Sequence, residues 1–283
     1  MADFSHILLA VDFDRTITAP DGSVPERNLR AIRSFMEQGG AFTVATGRSI
    51  PMFAPRMDAV PVNAPMLLYN GAACYDRETG QLSGVLDLPG GRETIRRVME
   101  EYPDLCWELQ GLEVHYLFGE NSLRDAFYRE NGAKTAHAEV ETVPGPFWKI
   151  AAFGTFRDTS VAQFFTGDPD ELRAFRRIRE QLARDYGDQL SVDLAAPRII
   201  DVQHREATKG KAARALGSRL GRRILVCAGD APNDLSMLRE ADLAFVPGDC
   251  DPAVAAEGFP AVCPCAQGSV ADVVVALGRI FGR

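Results

Sequence analysis

The sequence predicts an α/β fold: a doubly wound, parallel-sheet domain interrupted by a smaller inserted α+β domain. Three observations carry this. Apolar runs of strand length recur at residues 7–11, 41–45, 66–69, 224–228 and 243–246, the first of them unbroken. Continuous apolar strands belong to parallel sheets covered on both faces. Helical patterns alternate with these runs at both ends of the chain, which is the signature of a doubly wound domain. Between about residues 85 and 204 the character changes, with more alternating strands and more heavily charged helices.

Taken in order, the first run, "ILLAV" at 7–11, reads as a buried first strand. Leu29, Ile32, Phe35 and Met36 follow at helical spacing, and Gly39-Gly40 supplies the stop. In the middle segment, strands are expected at 105–110, 112–118, 148–153, 189–193 and 198–203. Asp168-Pro169 marks a helix start, with Asp as N-cap and Pro at the first helical position. Leu172, Phe175, Ile178, Leu182 and Tyr186 line one face of that helix, and Gly187 ends it. Ala212, Ala215 and Leu216 repeat the helical spacing after Lys209. The expected domains are a core segment 1–84, an inserted cap 85–204 and a second core segment 205–283.

Composition narrows the class. The 283 residues are 46% hydrophobic, enough for a large core of one or two domains. No run of 18 apolar residues is present, so no membrane span is expected. The N-terminus has neither a basic region nor a small-residue cleavage site, so no signal peptide is expected. The net charge of −8 argues against a nucleic-acid surface. Arg173, Arg176, Arg177, Arg179 and Arg184 are interleaved with acids and read as a solvated helix face. Six scattered cysteines fit a reducing cytoplasm, and Cys263-Pro-Cys265 has no partner pair at zinc spacing.

Polar residues collect where the apolar strands end, which is where open parallel sheets bind ligands. Asp12 and Asp14 follow the first strand. Residues i and i+2 share one side of a strand, so both carboxylates are expected to face one site. Thr46-Gly47-Arg48 follows the second run and offers a hydroxyl, backbone donors and a guanidinium to a phosphate. Lys209, in Thr208-Lys209-Gly210-Lys211, opens a helix from which it can reach an anion at the sheet edge. Asp230, Asn233 and Asp234 follow the run at 224–228 as hard oxygen groups suited to Mg²⁺.

In combination, this series resembles the haloacid dehalogenase (HAD) superfamily. The order D-x-D-x-T, T-G-R, K-G and G-D-x-x-N-D is similar to its Cof-type sugar-phosphatase branch, and Asn70-Gly71 matches the pair which that branch carries at the mouth of its cap. Two positions depart from the pattern. Arg15 stands where the family usually has glycine, and Ala231-Pro232 replaces the usual residues of the fourth motif.

The resemblance implies a Rossmann-like HAD core with a C2-type cap, and a Mg²⁺-dependent hydrolase of small phosphorylated metabolites such as sugar phosphates. It implies catalytic roles for Asp12 as nucleophile and Asp14 as acid and base, with Thr46 and Lys209 on the phosphoryl oxygens. Metal ligands would be Asp12, Asp14 through its main-chain carbonyl, and Asp230, with Asp234 in support. Gly47, Arg48, Asn70, Gly71 and Asn233 would contact substrate, and Asn233 would orient Lys209 or a metal-bound water. The partner is a small molecule, with neither nucleic acid nor membrane. A phosphomutase of the same superfamily and a non-catalytic sugar-phosphate sensor are the alternatives. A receiver domain is disfavoured because its acceptor Asp follows a later strand, whereas Asp58 here lies outside any apolar run. The stretch "TAPDGS" has room for a hairpin flap and nothing larger.

Overall fold

The computed structural model describes residues 2–154 and 168–282. The chain divides into two compact units. Unit 1 is Met1–Gly47, Arg56–Gly84 and Thr208–Arg283; unit 2 is Arg48–Pro55 and Val85–Ala207. In chain order the described helices are α1 (Glu26–Glu37), α2 (Ile50–Phe53), α3 (Arg92–Glu101), α4 (Ser122–Glu130), α5 (Pro169–Tyr186), α6 (Lys209–Arg219), α7 (Leu235–Glu240), α8 (Pro252–Ala255) and α9 (Ser269–Phe281). The strands are β1 (Ile7–Val11), β2 (Ala41–Val44), β3 (Met66–Leu68), β4 (Ala73–Tyr75), β5 (Leu82–Ser83), β6 (Leu105–Gln110), β7 (His115–Leu117), β8 (Thr135–His137), β9 (Lys149–Gly154), β10 (Leu190–Ala196), β11 (Ile199–His204), β12 (Ile224–Ala228), β13 (Leu243–Pro247) and β14 (Ala261–Val262).

Unit 1 is built on a parallel sheet in the order β14-β13-β12-β1-β2. Every residue of β1 is buried, as expected of a strand covered on both faces. Leu8 and Ala10 pack with Ala213 and Leu216 of α6 and with Met237 and Leu238 of α7. Helices α1 and α9 pack against each other. From β1 the chain turns toward β2 on one side; from β12 it continues to β13 on the other. The topological switch point therefore lies between β1 and β12, where Val11 pairs with Ala228. A small antiparallel sheet, β3-β4-β5, is joined to the β2 edge of the parallel sheet by a bridge between Ala45 and Leu67. The "TAPDGS" stretch forms a tight turn closed by the bond from Ala19 N to the Ser23 carbonyl, with no strand there.

Unit 2 contains a sheet in the order β10-β11-β9-β6-β7-β8, antiparallel except for β7 with β8. Its side chains alternate with period two. Trp107, Leu109, Ile150, Ala152, Ile200 and Val202 pack under α3 and α5. The intervening residues include Glu108, Gln110, Lys149 and Asp201, buried polar groups, with Lys149 Nζ 2.5 Å from Asp201 Oδ2. Asp168 caps α5 by accepting from the main-chain N–H groups of Asp170 and Glu171. Residues Arg48–Pro55, which the sequence reading places with the first core segment, group with unit 2. There Met52 packs with Leu117, Leu123 and Tyr128, and Ser49 Oγ lies 2.6 Å from His115 Nε2. Among the described residues, no helix is long and apolar enough to cross a membrane.

Candidate active site

Strand β1 ends at Val11, and the two acids after it are presented by a turn. Ile17 N donates to the Asp12 carbonyl and Thr18 N to that of Phe13, closing one wide helical turn over Phe13–Ile17. Asp12 is extended (φ −63°, ψ 150°) and Asp14 follows at φ −75°, ψ 125°. The strand pleat invoked in the sequence reading therefore does not set their directions. Between them and Thr16 stands Arg15 in the left-handed region, φ +59°. Its N–H donates to Thr18 Oγ1 at 3.0 Å, which holds that conformation.

Lys209 organises the floor of the site. Thr208 N-caps α6, with its hydroxyl accepting from Lys211 N, so Lys209 occupies the first helical position. Gly210 lets that helix approach α7: a Cβ there would fall 2.2 Å from the Ser236 carbonyl oxygen. The Lys209 side chain is fully buried, and Nζ lies 2.6 Å from both Asp12 Oδ1 and Asp234 Oδ1. Burial works against its ammonium, but the two carboxylates outweigh this and its pKa stands above the ordinary lysine value. Lys211 is exposed.

The loop after β12 folds back on itself. Asp234 Oδ2 accepts from the N–H groups of Asp230 and Ala231, both at 3.0 Å, and a Cβ on Gly229 would lie 2.5 Å from Asp234 Cβ. Asp234 thus fixes the loop through Oδ2 and Lys209 through Oδ1, and makes no side-chain cap to α7. Asp230 Oδ1 accepts from the buried Thr16 hydroxyl at 3.0 Å, and its Oδ2 lies 3.8 Å from Arg15 Nε. Thr16 had no assigned role, although its place in D-x-D-x-T was the available signal.

Asp12, Asp230 and Asp234 are all buried, and each offers a carboxylate oxygen within 4.8 Å of the others. Burial and the neighbouring Asp234 push the Asp12 carboxyl well above the ordinary range, with Lys209 pulling the other way. Burial and Asp234 likewise push Asp230 up to about 7, against the Thr16 hydrogen bond, Lys209 and Arg15. Three close carboxylates share one ammonium, so a divalent cation with oxygen preference suits the donor set. The trio consists of Asp12, Asp230 and Asp234; the carboxylate of Asp14, expected to contribute only its main-chain carbonyl, is not among them.

The remaining predicted residues fall into two groups. Thr46 is buried just past β2; its N–H donates to the Leu67 carbonyl and its own carbonyl accepts from Asn70 N. Gly47 sits so close to Asn70 that an added Cβ would be 2.6 Å from Asn70 Oδ1. Asn233 Nδ2 donates to that same oxygen at 3.4 Å, so Asn233 meets Asn70 while Asp12 and Asp234 orient Lys209. Gly71 packs against the Thr208 carbonyl. Arg48 belongs to unit 2, where its guanidinium donates to the Met52 carbonyl at 3.4 Å.

Comparisons with known proteins identify the family and the fold. The family model of haloacid dehalogenase-like hydrolases matches residues 9–258. An HMP-PP phosphatase of Klebsiella pneumoniae (strain 342) is 26% identical over 265 residues, covering 88% of this chain and 87% of its own. A haloacid dehalogenase-like hydrolase from Bacteroides thetaiotaomicron superposes with a TM-score of 0.77 at 18% identity, over 96% of this chain and 99% of that one. The HAD subclass IIB sugar phosphatase BT4131 superposes with a TM-score of 0.74 at 16% identity, over 96% and 98%. With acids, lysine and threonine gathered at the switch point of such a fold, the chain belongs to the haloacid dehalogenase-like hydrolases and is a phosphatase of that family.

Proposed function

We propose that this phosphatase hydrolyses small phosphomonoesters, sugar phosphates foremost, with Mg²⁺ and through a phosphoaspartate on Asp12. The observation that carries the reading is the buried ammonium of Lys209, 2.6 Å from both Asp12 and Asp234 beside the third carboxylate, Asp230. A cation fixed against a carboxylate nucleophile is suited to the charge that spreads over phosphoryl oxygens during transfer.

In the first half-reaction an Asp12 carboxylate oxygen bonds to phosphorus as the bond to the leaving alcohol breaks. Asp14 gives its proton to the departing alkoxide. In the second, Asp14 takes a proton from water as the water oxygen bonds to phosphorus. The bond to Asp12 then breaks, returning the carboxylate and releasing inorganic phosphate. Thr46 and Lys209 bind the phosphoryl oxygens throughout. Gly47, Arg48, Asn70, Gly71 and Asn233 are assigned to the substrate, with Asn233 bonded to Asn70 beside Gly47. Asp12, Asp230 and the Asp14 carbonyl would hold Mg²⁺, with Asp234 in support; when bound, the ion offsets the excess negative charge and keeps Asp12 ionised.

Choice of leaving group is assigned to the inserted segment, as the resemblance to the Cof-type branch implies. The test is phosphate release from hexose, pentose and triose phosphates, phosphopeptides and a phosphoprotein, after EDTA dialysis and with Mg²⁺ or Zn²⁺ restored. The reading requires turnover of small esters with Mg²⁺. Full activity without a divalent ion, or faster turnover of macromolecular substrates than of every small one, refutes it.

A further inference from the structure

Arg15 is the one charged residue of the Asp12 turn that the chemistry above does not use. It holds a left-handed backbone conformation, φ +59°, that costs little for glycine and is unfavourable for a residue with a Cβ. Strain of this kind persists where the side chain is put to use. The Arg15 side chain is 56% exposed, and Nε lies 3.8 Å from Oδ2 of Asp230, whose side chain is 8% exposed. Asp230 Oδ1 is meanwhile taken by the buried Thr16 hydroxyl. Two cations therefore flank the acidic trio from opposite environments: Lys209 from the fully buried floor and Arg15 from the solvent side. A phosphoryl group bound at Asp12 can be neutralised from the floor. A guanidinium on the solvent side meets whatever part of the substrate extends outward.

We propose that Arg15 is a specificity-determining residue that favours phosphomonoesters carrying a second anionic group, a carboxylate or second phosphate, on the leaving portion. This rests on the phosphatase reading and sharpens its substrate class. Arginine suits the task because its planar fork binds carboxylate and phosphate oxygens bidentately. As an exposed contact it is weakened by salt.

The experiment compares matched pairs: glycerol 3-phosphate with 3-phosphoglycerate, and fructose 6-phosphate with fructose 1,6-bisphosphate. Ratios of kcat/KM within each pair are measured for wild type, Arg15→Gln, Arg15→Gly and Arg15→Lys with Mg²⁺. Wild type is expected to prefer the doubly anionic member of at least one pair by about five- to tenfold. The ratio should fall below about twofold in Arg15→Gln and Arg15→Gly, stay intermediate in Arg15→Lys, and shrink as salt rises. Equal treatment of both members by wild type overturns the proposal. So does a loss in Arg15→Gln that is the same for all four substrates, which would assign the guanidinium to the transferred phosphoryl or to Asp230. The same ratios are read as Kd by calorimetry in an Asp12→Asn background. A charge preference in binding that vanishes with Arg15→Gln, without turnover of any ester by wild type, would uphold Arg15 while refuting the phosphatase chemistry. Should Arg15→Gly fail to fold, Arg15→Gln and Arg15→Lys decide the matter.

Discussion

Replacing Lys209 with methionine keeps most of the side-chain volume and removes the ammonium. The structure lets the consequence be sized. At 2.6 Å each contact is worth on the order of 6 kcal/mol of Coulomb energy at an effective dielectric of 20, against several kcal/mol for burying an ammonium. Removing the charge leaves Asp12 and Asp234 buried without a counter-ion, which costs about 3–5 kcal/mol. The penalty depends on pH in a definite direction. Asp12 already has a raised pKa, and Lys209 is what lowers it, so the variant raises it further. A carboxyl whose folded pKa exceeds its unfolded value loses stability as pH rises through that interval. The deficit should therefore be larger at pH 8 than at pH 5. Denaturant unfolding in EDTA, for wild type and Lys209→Met at both pH values, measures it. Mg²⁺ should recover part of the deficit by linkage, because a cation returns positive charge to the folded state alone. Adding Asp234→Asn should recover at least about 1.5 kcal/mol, since one of the two stranded carboxylates is gone. Phosphate release with Mg²⁺ should fall by about 10²–10³-fold. A stability loss under about 1 kcal/mol at pH 8 in EDTA would refute the reasoning, since it would mean that the ion pairs carry no net weight.

Three further outcomes are expected. Asp12→Asn should lower phosphate release by at least about 10³-fold in a protein that still folds cooperatively, and activity within tenfold of wild type would remove Asp12 as nucleophile. Thr16→Val should cost about 1–2 kcal/mol of stability and weaken Mg²⁺ binding about tenfold, because Asp230 Oδ1 loses its buried donor; calorimetric titration with Mg²⁺ checks this. In unit 2, burial pushes Glu108 up to about 7 and pushes His115 down to about 3. Between about pH 4.5 and 6.5 the folded state thus carries the proton on Glu108 and the unfolded state carries it on His115, so the two slopes cancel. Glu108→Gln exposes the His115 slope: relative to wild type, stability should drop by about 2–3 kcal/mol on going from pH 6.5 to 4.5, and a constant difference would contradict the assignment.

The sequence by itself determined four of the five strands of the parallel sheet of unit 1, β1, β2, β12 and β13, and the strand ends at which polar groups collect. A strand buried on both faces is predominantly apolar, so its length is legible, and the polar residues beyond it mark the end where a ligand can be met. Strands β1 and β12 are therefore visible in "ILLAV" and "ILVCA", and Asp12 and Asp230 beyond them. Helix α5 was legible for an equally local reason, an Asp cap followed by Pro. The sequence reading named no helix at α3 or α9, although the period is present: Ile95 and Val98 are buried at helical spacing in one, and Val270, Val273, Val274 and Leu277 in the other; what both lack is the Asp-Pro start that marks α5.

Only the tertiary structure decided which groups meet. Lys209 reaches Asp12 across 197 residues of chain and Thr16 reaches Asp230 across 214. The approach of Asp234 to Asp12 and Asp230, the left-handed turn at Arg15 and the grouping of Arg48–Pro55 with unit 2 belong to the same class. Periodicity and capping act over a few residues and leave a local trace. Ion pairs across a sheet depend on strand order and on the approach of one loop to another, and no short stretch of sequence encodes either.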